Sequence, residues 1–336
     1  MRILYHNPTC GSGIEQIGYI FLLLLKKLGH EIDLWNTQCA NQQENFISKT
    51  VGNYDMVFLN AAHKLSFDRI IKSPADNIFN ISHDGTELPV FCKQLSLNYL
   101  HQYQFLPEQN ARKVIFPLTY PYAYDKREYE RDRPYKFVYA GRWCEAKFHP
   151  SVKKFMEENK IKMDFVFVNI IDDGYSPDTI AKTGFKDANV GDIAGYLRKT
   201  EYLLVPSTTE CITLVAGEAL VNGCIPIVLE TEQEEHKQFI NCITAYSPEE
   251  FNNVIATLAE SDTDPEGLNR KKVFDFSNQM WSIDKTLDEL RTIFGTGNNG
   301  KINVIFDDNA IAHDEKGLEK TLPYINATII TGETIA

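Results

Sequence analysis

The stretch Tyr202-Leu-Leu-Val-Pro-Ser-Thr-Thr-Glu210-Cys-Ile-Thr-Leu-Val-Ala-Gly-Glu218-Ala-Leu-Val-Asn-Gly223-Cys-Ile-Pro226-Ile-Val-Leu229 sets the architecture. Residues 202–205 form an apolar run of strand type, and 206–210 a polar loop that opens on proline. Residues 212–222 have helical length with an almost unbroken apolar face, Gly223 closes them, and 225–229 is a second apolar run. Two continuously apolar strands joined by a helix make a βαβ unit, whose strands run parallel and are covered on both faces.

The same alternation extends both ways. Towards the N-terminus it gives strands at 136–139 and 163–168 with helices at 151–158 and 192–199; beyond 229, helices follow at 248–258 and 283–294. A first series begins with a strand at 2–6, the glycine turn Cys10-Gly11-Ser12-Gly13, a helix over 14–28 closed by Gly29, and strands at 31–35, 56–59, 78–81 and 114–116. The series meet in a segment, 117–134, rich in proline, tyrosine and mixed charge, which reads as a crossover. The expectation is an α/β protein of two Rossmann-like, doubly wound lobes, 1–133 and 134–295, with a ligand cleft between them. Residues 296–336 are left over, a short C-terminal appendage.

A chain of 336 residues suits two domains. Lys+Arg total 34 and Asp+Glu 46, a net charge of −12, which excludes a protein that coats nucleic acid or anionic membrane by bulk charge. Split at 133, the first part holds 14 of each sign and the second 20 cations against 32 acids, so the excess acid falls in the second part. Seven scattered cysteines with no C-x-x-C pair point to a reducing, cytoplasmic setting without a zinc or disulfide framework. The apolar run 17–25 is too short to span a bilayer and reads as a buried helix.

Four constellations fall at strand ends. In the first, Glu210 stands in the loop before a helix and Glu218 on the helix itself, about 80° apart around its axis if both were helical. Amides at the start of that helix, including those of Thr213 and Leu214, suit a phosphate. Two helix-end acids alone would read as a cap and a solvated face. The second is Gly141-Arg142-Trp-Cys-Glu-Ala-Lys147 after a strand, a cationic pair in an acidic lobe. The third is the glycine turn with Gly11 and Gly13, which lacks the third glycine of a dehydrogenase fingerprint because Gln16 stands there. The fourth is His83-Asp84-Gly85 directly after the strand 78–81.

Residues 134–229 resemble the nucleotide-sugar half of the GT-B glycosyltransferases, specifically the retaining family GT4. The resemblance rests on E-x7-E (Glu210, Glu218) with Gly223 and Pro226 following in order, on the Pro206-Ser-Thr-Thr approach, and on G-R-x4-K (Gly141, Arg142, Lys147). It implies a retaining transferase that takes a sugar from a UDP- or GDP-sugar and gives it to the hydroxyl of a glycan, a lipid-linked glycan or another biomolecule. It implies that Arg142, Lys147 and the amides of Thr213 and Leu214 hold the donor diphosphate, that Glu218 binds the ribose, and that Glu210 meets the sugar. Gly11 and Gly13 would bring backbone amides to the donor, with His83 and Asp84 at the reacting sugar.

Many family members have Glu-x-Phe-Gly-Leu where this chain has Glu210-Cys-Ile-Thr213-Leu214, so no particular hexose follows. No Asp-x-Asp stands at a strand end, and the pairs Asp172-Asp173 and Asp307-Asp308 lie in turn-like surroundings, so no metal cofactor is expected. A looser resemblance links the first lobe, His83-Asp84 and the G-R-x4-K segment to phage α-glucosyltransferases acting on hydroxymethylated cytosine in DNA. The crossover interleaves Lys126, Arg127, Arg131 and Arg133 with Tyr120, Tyr122, Tyr124 and Tyr129, groups that can meet phosphates and stack a base, while Asp125, Glu128, Glu130 and Asp132 nearly cancel their charge. A third reading is a binding protein that keeps the nucleotide-sugar pocket without turnover.

Overall fold

The computed structural model describes residues 1–8, 13–37, 54–60, 77–82, 93–96, 111–113, 128–168, 185–187, 190–208, 214–230, 241–260, 268–280, 282–298, 300–306 and 327–331. They form two compact units: residues 1–124 with 282–336, and residues 125–281.

In the first unit the strands are β1 (Arg2–Pro8), β2 (Glu31–Thr37), β3 (Met56–Asn60), β4 (Ile78–Ser82), β5 (Lys93–Ser96) and β6 (Ala111–Lys113), with helix α1 (Gly13–Lys27) between β1 and β2. All pair in parallel, as apolar strands linked by crossovers must. Leu22, Leu24 and Leu25 of α1 are fully buried, so the apolar run 17–25 is a core helix. No helix among the described residues is long and apolar enough to cross a membrane.

The chain then leaves for the second unit and returns. Its strands are β7 (Tyr135–Ala140), β8 (Phe165–Val168), β9 (Phe185–Asp187), β10 (Thr200–Val205), β11 (Ile225–Leu229) and β12 (Ile243–Ala245). Its helices are α2 (Pro150–Glu158), α3 (Val190–Arg198), α4 (Leu214–Val221), α5 (Pro248–Glu260) and α6 (Leu268–Met280). The sheet order is β12-β11-β10-β7-β8-β9, all parallel. Strand alternation sorts the core into two faces: Phe137, Tyr139, Tyr202 and Leu204 pack with Val152 of α2 and Phe251 of α5. Val138, Ala140, Leu203 and Val205 pack with Leu197 of α3 and Ala219 of α4. Helices cover both faces, which is the doubly wound arrangement that the sequence alternation implies.

The domain limits differ from the sequence reading in two places. Helix α7 (Ile283–Phe294), expected in the second lobe, belongs to the first unit, where the Phe294 ring sits 5.1 Å from Phe58 and 5.2 Å from Phe79 in edge contacts. Residues 296–336, expected as an appendage, supply β13 (Lys301–Phe306) and β14 (Ala327–Thr331), which extend the first sheet to the order β14-β13-β2-β1-β3-β4-β5-β6. Glycines make the join possible. A Cβ on Gly297 would lie 2.1 Å from the Gly29 carbonyl oxygen and one on Gly300 2.4 Å from that of Lys26, so only glycine lets this segment lie against the end of α1. Gly297 N donates to Leu28 O at 2.8 Å, and β13 then pairs with β2 from Lys301 opposite Glu31.

The other boundary falls at 124/125 rather than 133/134, because residues 128–134 lie on the second unit. With these limits the first unit holds 15 cations and 19 acids, net −4, and the second 19 and 27, net −8. The excess acid is shared, since the tail carries much of it.

Candidate functional site

The second sheet runs outward in one direction through β7, β8 and β9, then the chain crosses back to place β10 beside β7. The chain therefore passes from β7 to α2 on one face and from β10 to α4 on the other, and such a switch point is where doubly wound sheets bind ligands. The loop after β7 is Gly141–Phe148, which carries Arg142 and Lys147; after β10 come residues 206–208, and Glu210 follows in the chain before α4.

The two loops are sewn together. The Ala146 carbonyl accepts three hydrogen bonds, from Ser207 Oγ (3.0 Å), Thr208 N (2.9 Å) and Thr208 Oγ1 (3.2 Å). His149 N donates to Pro206 O at 2.9 Å. Beneath the loop, Trp143 and Phe148 are fully buried, with ring centroids 4.4 Å apart and each 5.1 Å from the Tyr139 ring. Tyr139 Oη donates to the Arg142 carbonyl. The loop's apolar positions thus anchor it in the core while its cations stay at the rim. Arg142 is exposed, with no ion-pair partner among the described residues, and Lys147 is half-buried. At the opposite edge of the same strands the cations are paired: Lys136 and Arg270 lie 2.9 and 3.6 Å from Glu201.

Helix α4 carries Glu218, half-buried, in its second turn, and has no acidic side chain in its first turn. Its carboxyl end is closed tightly. Asn222 Nδ2 donates to Glu218 O (2.7 Å), Asn278 Nδ2 to Val221 O (2.9 Å), and Gly223 N to Leu220 O (3.0 Å). Arg133 Nη2 donates to Asn222 O at 2.8 Å.

Of the residues expected in the site, Arg142, Lys147 and Glu218 lie on elements that meet at one switch point. Leu214 is the first residue of α4 and Gly13 the first of α1. Gly11, His83, Asp84, Glu210 and Thr213 lie outside the described residues; in the chain, His83 and Asp84 follow directly on β4 and Glu210 and Thr213 lead into α4.

Sequence reasoning missed Ser207 and Thr208 as stitching groups, because the carbonyl they bind lies 61 and 62 residues earlier in the chain. The reading of Arg133 and Tyr129 as groups available to nucleic acid is corrected. Arg133 is 7% exposed and spends its guanidinium on Leu197 O (3.1 Å), Thr200 O (2.7 Å) and Asn222 O (2.8 Å). Tyr129 lies under Arg133, 5.3 Å from ring centroid to guanidinium carbon, and beside Phe274.

In the first unit, the corresponding switch point lies between β1 and β3. There Asn60 Nδ2 donates to Asn7 Oδ1 at 2.7 Å, both residues fully buried. Gly18 of α1 packs on this pair so closely that a Cβ would lie 1.9 Å from Asn7 Oδ1. Burial pulls the neighbouring His6 imidazole down to about 4.

No family model matches the chain, and no curated protein matches it by sequence. Solved structures do. HepE (Alr3699) of Anabaena, in complex with UDP and glucose, superposes with a TM-score of 0.62 at 12% identity over 87% of this chain and 99% of that one. A glycosyltransferase from Rickettsia africae gives 0.61 at 12%, over 87% and 97%. An α-glucosyltransferase in complex with UDP and a 13-mer DNA containing an HMU base gives 0.59 at 12%, over 87% and 99%. The fold is GT-B. Within this GT-B chain, the second unit is the one whose switch point carries the G-R-x4-K loop and the helix with Glu218.

Proposed function

We propose that the protein is a retaining glycosyltransferase that moves a sugar from a UDP- or GDP-sugar to an acceptor hydroxyl, with the donor on the second unit and the acceptor on the first. The observation that carries this reading is the three hydrogen bonds on Ala146 O, which join the Arg142/Lys147 loop to the segment that leads to Glu210 and α4. A diphosphate at this switch point meets two cations from one loop and helix amides from the other.

In this reading Arg142 and Lys147 neutralise the diphosphate, aided by the amides of Thr213 and Leu214 and by those of the turn at Gly11 and Gly13. Glu218 takes the ribose hydroxyls, and Glu210 those of the sugar. The bond from the sugar's anomeric carbon to the β-phosphate oxygen breaks, and negative charge grows on that phosphate, where the cations stabilise the transition state more than the ground state. The acceptor oxygen attacks from the same face, and its proton passes to the leaving phosphate oxygen. His83 and Asp84 orient the sugar and stabilise its oxocarbenium character. With the diphosphate charge met by Arg142 and Lys147, turnover needs no metal, and EDTA is expected to leave it unchanged.

The test is slow hydrolysis of a nucleotide sugar by the purified protein, abolished by Arg142→Ala or Glu210→Ala. NMR of the first-formed sugar gives the stereochemistry: retention supports the reading, and inversion overturns it. Absence of hydrolysis despite tight nucleotide binding would favour a binding protein.

A glycan or lipid-linked glycan is the acceptor class favoured here. A second reading, transfer to hydroxymethylated bases in DNA, draws on the similarity to the DNA-bound α-glucosyltransferase and on His83-Asp84. It loses two of its crossover groups, because Arg133 and Tyr129 serve the second unit's own packing. DNA binding that weakens steeply with salt supports this second reading; binding insensitive to salt, or none, removes it.

A further inference from the structure

We infer that Arg133 is a positioning residue for the nucleotide site: it fixes the carboxyl end of α4 so that the other end of that helix is held against the donor. The inference rests on the reading of the second unit as a nucleotide-sugar site.

Helix α4 has only eight residues and is almost wholly apolar, with no acidic group in its first turn. So short a helix has little stability of its own and takes its place from the packing of Ala216, Ala219 and Leu220, all fully buried, and from what holds its ends. Its amino end is committed to the ligand in this reading, so of the two ends the carboxyl one sets how far along its axis the helix stands. Arg133 does so from outside the sheet-and-helix pattern. One nitrogen, Nη1, reaches the last turn of α3 at Leu197 O (3.1 Å) and the start of β10 at Thr200 O (2.7 Å). The other, Nη2, reaches Asn222 O just past α4 (2.8 Å), and Nε holds Glu130 O (3.2 Å).

The link continues into the site. Asn222, whose carbonyl accepts from Arg133, donates its own side-chain amide to the carbonyl of Glu218 (2.7 Å). A hydrogen-bonded path of two residues therefore runs from a buried guanidinium to the backbone of the residue assigned to the ribose. A positive charge at two helix carboxyl ends is also favourable for the helix dipoles. Gly223 gives a second and independent sign that the seat is made for this arginine. It adopts φ +73°, and a Cβ there would lie 2.6 Å from Arg133 Nη2 and 3.2 Å from the Tyr129 ring. The glycine following the second glutamate thus leaves the space that the guanidinium fills.

Isothermal titration of the full chain with UDP and, separately, GDP tests the inference. Wild type, Arg133→Met, Arg133→Lys and Ile302→Ala are compared, the last as a control that loosens the first unit's core at β13, where Ile302 is fully buried. For the nucleotide that wild type binds, Arg133→Met should raise Kd at least tenfold at a temperature well below its Tm, and Arg133→Lys by less. Ile302→Ala should lower Tm but leave Kd within twofold. If Arg133→Met does not fold, Arg133→Lys together with amide exchange carries the test, and faster exchange in α4 with a raised Kd supports the inference. Wild-type affinity in a folded Arg133 variant overturns the inference alone. Failure of wild type to bind either nucleotide overturns the donor-site reading and this inference with it.

Discussion

Ser207 Oγ donates a 3.0 Å hydrogen bond to the carbonyl of Ala146, 61 residues earlier in the chain, and so ties the loop after one central strand to the loop after its neighbour. Both loops leave the carboxyl edge of the second sheet where strand order reverses. Position on the donor phosphates would depend on that tie.

Ser207→Ala removes the hydroxyl but leaves Thr208 on the same carbonyl. The loss is about 1 kcal/mol, or roughly fivefold. It should appear as a raised donor KM with little change in Tm, measured by steady-state kinetics beside calorimetry. The double variant Ser207→Ala/Thr208→Val should lose more than either single change.

Arg142→Ala should act on the chemical step. Removing a group that stabilises developing charge costs about 3 kcal/mol, on the order of a hundredfold in kcat. Arg142 is exposed and its backbone carbonyl remains held by Tyr139, so Tm should stay near wild type. A fall in Tm that parallels the loss of rate would assign Arg142 to structure.

His6 is buried on β1 with its imidazole held down at about 4, against an ordinary value of 6.5. The unfolded chain therefore binds a proton that the folded one refuses between these values. Stability from this group is complete above pH 6.5 and is lost as pH falls towards 4, by up to about 3 kcal/mol. Urea unfolding at pH 7 and pH 5 should show the loss, and His6→Gln should flatten that part of the profile. His30, also pushed down by burial, contributes with the same sign, so a smaller slope remains.

Gly297→Ala should destabilise the first unit. The added carbon would meet the Gly29 carbonyl at 2.1 Å, backbone against backbone, and no rotamer relieves it. The expected cost is about 1–3 kcal/mol, read as a drop in Tm. Unchanged Tm would mean that residues 297–331 join the first sheet by a looser contact than the one described.

The alternation of apolar runs and helical stretches made both sheets legible, because strands buried on two faces leave no doubt about their type. Strands at sheet margins were not legible: β5 (Lys93–Ser96), β6 (Ala111–Lys113), β9 (Phe185–Asp187) and β12 (Ile243–Ala245) have three or four residues and little apolar character. Helix α6 went unread because its sequence, LNRKKVFDFSNQM, is charged on most sides. The place of β13 in the first sheet was not legible, since it pairs with a strand some 270 residues earlier in the chain, from Lys301 to Glu31. In the candidate site, Arg142, Lys147 and Glu218 were singled out by the resemblance of the G-R-x4-K and E-x7-E segments to GT4 enzymes, not by residue type alone. The hydrogen bonds of Ser207, Thr208 and Arg133 to carbonyl groups were hidden, because a carbonyl acceptor leaves no mark in sequence.

Thermal unfolding of the full chain with a panel of UDP-glucose, UDP-GlcNAc, GDP-mannose and UDP-pentoses reads donor binding itself, since a ligand of the folded state at 100 times its Kd adds about 2.7 kcal/mol. At least one nucleotide sugar should raise Tm by several degrees, and Arg142→Ala/Lys147→Ala should abolish the shift while still unfolding cooperatively. No shift with any member of the panel, or an equal shift in the double variant, would contradict the donor-site reading.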